Sequence, residues 1–135
     1  QNPSEQRTKT MRLANAIQSF ADTHAPTTVV PVYLPADVYA SAGRAESSPL
    51  NRHLSKMDVN PWEDNRLQKQ ILTALSGLDP IDLTAALSEE SAFLEGDYHL
   101  SPTGHQRVAS AITAALEQRS PSAEPSSVTK ETTSQ

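Results

Sequence analysis

The ten residues Gly96-Asp97-Tyr98-His99-Leu100-Ser101-Pro102-Thr103-Gly104-His105 constrain this chain more than any other stretch. They place an acid and an imidazole two residues apart, with a helix start directly behind them. In an extended segment the side chains at i and i+2 point to the same side, so Asp97 and His99 are expected to face one cleft. Ser101 suits a helix N-cap, and Pro102 suits the first helical position, where its missing N–H would have no partner anyway. Val108, Ala109, Ile112, Ala115 and Leu116 then recur at helical spacing. A packed helix over residues 102–118 is therefore expected to begin just after the imidazole and to hold the Asp/His loop against the fold.

The chain before this stretch alternates helix and strand. Residues 4–25 read as a helix capped by Ser4 and ended by Pro26, with Met11, Ala14, Ile17, Phe20 and Ala21 on one face. Over Thr27–Leu34, the residues Val29, Val30, Val32, Tyr33 and Leu34 give the near-continuous apolar run of a buried parallel strand. Pro31 cannot donate to a ladder, so it predicts a bulge, an edge position or an early end to the pairing. Residues 63–76 read as a further helix with Leu67, Ile71, Leu72 and Leu75 on its apolar face and Gly77 as its C-cap. Ile81-Asp82-Leu83 follows as a short strand, with Thr84 as N-cap of a helical turn reaching Glu90. Asp82 reads as the cap of the next loop in preference to a catalytic acid. This order is that of an α/β fold with a parallel sheet.

Residues 35–62 are punctuated by Pro35, Gly43, Pro49 and Pro61, with short helical turns expected at 37–42 and 50–57. A loop this long in a compact domain is usually functional or mobile. It leaves the C-terminal end of a strand, where open α/β sheets place their ligands. It reads as a lid or specificity loop with Tyr33, Tyr39, His53 and Trp62 as candidate contacts; ordinary packing is the competing reading for each. Residues 1–118 are expected to form the domain. Residues 119–135, rich in Ser, Thr and Pro, have too little to bury to offset their ordering entropy and are expected to be disordered.

Composition narrows the partners. The 135 residues carry a net charge of −5 and show no basic stripe, which argues against nucleic acid. Cysteine is absent, so no disulfide framework or thiolate metal site is available. No apolar run is long enough for a membrane span.

The string Asp-x-His-Leu-Ser-Pro-x-Gly-His before a C-terminal amphipathic helix resembles the last block of the SGNH (GDSL-like) hydrolases. Its Asp-x-His spacing is similar to that of the alginate-type polysaccharide O-acetyltransferases of that superfamily, whereas the commoner spacing has one more residue. The resemblance implies a three-layer α/β/α, flavodoxin-like parallel-sheet domain. It implies that His99 is the general base and Asp97 its orienter, completing a triad with a serine. Asn2 falls where the family often carries an oxyanion-hole amide. No Gly-Asp-Ser block occurs and the first residue is Gln1, so the chain is expected to be the C-terminal portion of such a domain. The serine is then expected upstream, in a missing N-terminal part of the same domain. The implied substrate is a small-molecule, lipid or carbohydrate ester, and for polysaccharide-acting members the implied setting is extracytoplasmic.

The residue types fit that chemistry. A Ser–His–Asp site needs an imidazole within reach of a hydroxyl and a carboxylate on the other ring nitrogen to hold the tautomer. Histidine serves because its ordinary pKa, about 6.5, lies near working pH. In the competing structural reading, His99 only satisfies a loop carbonyl. His105, one turn into the helix, reads as a surface or capping residue. A metal site from Asp97, His99 and His105 lacks a further ligand and an outer shell, so neither metal nor cofactor is expected. The expected function is ester hydrolysis or O-acyl transfer. The alternative is a non-catalytic α/β interaction or cell-surface domain that kept the fold.

Overall fold

A computed structural model of the chain describes residues 3–51, 56 and 66–119. The expectations for Asn2, His53, Trp62 and residues 120–135, and for most of the helical turn at 50–57, lie outside them. The order of elements is α1 (Pro3–Thr23), β1 (Val32–Tyr33), α2 (Asp37–Ala40), α3 (Ala42–Ser47), α4 (Arg66–Ala74), a 3-10 turn (Ser76–Leu78), β2 (Ile81–Asp82), a second 3-10 turn (Glu90–Ala92) and α5 (Pro102–Arg119).

The two strands are parallel, with Val32 opposite Ile81 and Tyr33 opposite Asp82. The expected eight-residue strand is thus only two residues long. Pro31 marks its start: the Pro31 carbonyl accepts from Ile81 N at 2.9 Å, and the Tyr33 carbonyl accepts from Leu83 N at 3.1 Å. Proline is tolerated there because only its carbonyl is used.

The core lies where β2, the segment after it and α5 meet. Ala40, Ile81, Leu83, Leu87, Ala92 and Phe93 form one buried cluster, with Val108, Ala111, Ile112 and Ala115 of α5 packed on it. The α5 stripe is therefore rotated from the expected one, since Ala111 packs inward while Ala109 and Leu116 face solvent. A similar shift affects α1. Ala14 is buried as expected, but Thr10 is buried beside it, and Met11 and Phe20 are largely exposed.

Two caps differ from expectation. Gly77 lies inside the 3-10 turn; the left-handed residue that ends that turn is Asp79, with φ of 49°. Aspartate tolerates this region better than most residues with a Cβ. Thr84 does not cap through its own hydroxyl. The Asp82 carboxylate does so, accepting from Thr84 N at 3.0 Å and from Thr84 Oγ at 2.6 Å. Its second oxygen accepts from Gln68 Nε2 at 2.9 Å. Burial raises the Tyr33 hydroxyl above its ordinary pKa, and the neighbouring Asp82 charge adds to this.

α1 and α4 pack together. They leave an open apolar groove of about 690 Å³ lined by Leu13, Ile17 and Phe20 of α1, by Val32 and Leu34, and by Ile71 of α4. Among the described residues no helix is long and apolar enough to cross a membrane.

Candidate active site

The site is built on a short antiparallel hairpin. Phe93 bridges Leu100, Leu94 N donates to the His99 carbonyl at 2.9 Å, and Ser101 N donates to the Ala92 carbonyl at 2.9 Å. At the tip, Asp97 N donates to the Leu94 carbonyl at 3.2 Å, closing a turn in which Gly96 takes a φ of 68°. Glycine reaches that region without steric cost.

The base of the hairpin is locked by the start of α5. Ser101 is the N-cap the sequence predicts: its Oγ accepts from Gly104 N at 3.1 Å and donates to the Ser91 carbonyl at 2.5 Å. Losing such a cap costs about 1 kcal/mol. Gly104 is needed for close approach. A Cβ there would lie 2.0 Å from the Ala92 carbonyl oxygen, so no larger residue fits without moving α5 off the 3-10 turn at 90–92.

The structure brings Asp97 and His99 together. His99 Nδ1 lies 2.7 Å from Asp97 Oδ1. An ionised carboxylate only accepts, so Nδ1 carries the proton and Nε2 is left as the acceptor. The same Oδ1 accepts from the His99 backbone N at 3.2 Å. The pairing does not arise from an extended backbone, as the sequence reading supposed. Residues 97–99 form a bend, and an Asp side chain bonding the N–H two residues on is what curls it. The bond from the His99 ring holds the Asp97 carboxyl below its ordinary range, with backbone N–H groups adding to it. Both side chains face solvent, His99 at 65% and Asp97 at 42% exposure. Tyr98 stacks on the imidazole with ring centroids 4.5 Å apart. Among the described residues Nε2 makes no hydrogen bond.

A model of the SGNH hydrolase-like domain of the acetyltransferase AlgX matches residues 3–135. The chain belongs to this family. Comparison with curated proteins and with solved structures gives no match. In this AlgX-type domain the sheet carries two parallel strands among the described residues, flanked by helices.

The other sequence-derived candidates are apart from the pair. His105 lies exposed on α5, with its backbone N donating to the Ser101 carbonyl at 3.0 Å. Tyr33 and Tyr39 are half-buried in and after β1. Among the described residues no group of three or more His, Cys, Asp or Glu side chains is arranged to hold a metal. The sequence reading missed Arg44, which reaches the hairpin, and Asp37, which pairs with it. They lie on two short helices, α2 and α3, with Ser41 extended between them, so no single helical periodicity joins them in the sequence.

Proposed function

We propose that this AlgX-type domain supplies the base half of a Ser–His–Asp site for O-acyl transfer to a carbohydrate hydroxyl, with His99 as general base and Asp97 as its orienter. The serine belongs to a part of the protein outside residues 1–135. The observation that carries the reading is the Nδ1–Oδ1 contact of 2.7 Å on an exposed hairpin, within a chain of the AlgX family.

The steps follow from the tautomer. Nε2 takes the proton of the serine hydroxyl as its oxygen attacks the donor ester. It gives that proton to the leaving alkoxide when the tetrahedral adduct collapses to an acyl-serine. Nε2 then deprotonates the acceptor hydroxyl, which attacks the acyl group, and returns the proton to the serine. Asp97 stabilises the imidazolium present in both halves.

We further propose that β1 and β2 are part of a three-layer α/β/α sheet whose remaining strands come from elsewhere in the protein. The groove of Leu13, Phe20 and Val32 supports this, because it leaves apolar surface beside an unpaired strand edge among the described residues.

The test is turnover of p-nitrophenyl acetate by the full-length protein and its His99→Ala variant. The expected loss is on the order of 10³-fold or more, with folding retained because the side chain is exposed. Unchanged turnover would remove His99 from the mechanism.

A further inference from the structure

Arg44 is a buried cation, 4% exposed, with no role in the steps above. Its Nη2 donates to Asp37 Oδ2 at 3.2 Å and also to the backbone carbonyl of Asp97, 53 residues away. Asp37 is fully buried and its other oxygen accepts from Val38 N at 2.8 Å. The guanidinium carbon sits 5.8 Å from the centre of the Phe93 ring, at the neck of the hairpin.

A buried ion pair is a poor way to gain stability, because desolvation of both charges offsets their attraction. Its value here lies in what it touches. The hairpin tip has a glycine turn and two exposed side chains. The Arg44 bond reaches the tip from the protein interior. It fixes the peptide that joins Asp97 to Tyr98, the residue stacked on His99. A charge-assisted bond to that carbonyl restrains the backbone on which both members of the acid–base pair are mounted.

We propose that Asp37 and Arg44 form a positioning pair: Asp37 orients the guanidinium, and Arg44 holds the Asp97 carbonyl so that the Asp97 carboxylate meets His99 Nδ1. This deepens the Proposed function and rests on it. Neither residue touches the reacting atoms.

The test is made in the full-length protein with the double variant Asp37→Asn/Arg44→Met. It removes both charges together, leaves no buried ion unpaired, and keeps an acceptor for Val38 N–H. Such replacements usually leave a fold intact. The folded variant is expected to lose on the order of 10²-fold in kcat for p-nitrophenyl acetate with KM little changed, the effect of a small misplacement. Its Asp97 carboxyl, followed by NMR, is expected to titrate nearer the ordinary aspartate value.

A folded variant with wild-type kcat and wild-type Asp97 titration would overturn the proposal while leaving His99 as base. If His99→Ala also keeps full activity, the catalytic reading fails instead, and the Asp97 titration alone decides whether Arg44 holds the hairpin. If the double variant does not fold, the wild-type protein decides. Slowly exchanging Arg44 guanidinium protons with cross-peaks to the Tyr98 amide support the tether. A fast-exchanging guanidinium without them overturns it.

Discussion

Asp97 and Asp37 each meet a basic side chain, and their surroundings could hardly differ more. Asp97 and His99 are 42% and 65% exposed, whereas the Asp37 and Arg44 side chains are 0% and 5% exposed. In water the exposed pair is weakly coupled to the stability of the fold, and it stays open to a substrate. The buried pair has given up its hydration, so loss of one partner is felt throughout the fold. In the proposed mechanism one pair does the chemistry and the other holds the first in position. The comparison teaches that an acid beside a base says little about role until burial is known.

The comparison can be broken most directly at the buried pair. Arg44→Met alone leaves Asp37 buried without its cation, and a loss of about 3–5 kcal/mol is expected in denaturant unfolding of the full-length protein. Asp97→Asn should barely move the same midpoint at neutral pH. Equal effects from the two substitutions would erase the distinction.

A smaller effect is expected where the hairpin meets α5. Gly104→Ala puts a Cβ against the Ala92 carbonyl, and overpacking of this kind costs about 1–3 kcal/mol. Because the strain falls between Ser101 and the hairpin base, turnover is expected to fall along with stability. A variant that is as stable and as active as the wild type would show that α5 does not set the hairpin's position.

The smallest effect concerns pH. The His99 bond lowers the Asp97 pKa in the folded chain. Its contribution is therefore fully present above the ordinary aspartate value and is lost as pH falls through the lowered one. The stability difference between wild type and Asp97→Asn is expected to shrink across that acid window, read as paired denaturation midpoints. A difference that grows on acidification would contradict the pairing.

Legibility in the sequence followed the range of the interactions. The Ser101-Pro102 helix start and the closeness of Asp97 to His99 are local, so residue types and spacing were enough to find them. The backbone reason was misread, because an Asx-type bond and an extended strand both bring i and i+2 side chains together. The length of β1 was overestimated because Val29, Val30 and Leu34 are as β-prone as Val32 and Tyr33, and only the partner strand decides where pairing stops. The inward face of α5 depended on which side of the helix the cluster around Leu83 and Phe93 occupies, so Ala111 could not be separated from Ala109. Arg44 was illegible for the same reason. It lies in a stretch broken by prolines, and its carbonyl partner is 53 residues further on, with no local pattern joining them.

The central claim is that Asp97 and His99 act as one unit in acyl transfer. A double-mutant cycle on the full-length protein, read as kcat/KM for p-nitrophenyl acetate, tests it most directly. The expected result is that Asp97→Asn/His99→Ala is no slower than His99→Ala alone, because an orienter has nothing left to orient. Losses that simply multiply, or a His99→Ala variant as fast as the wild type, would contradict the account.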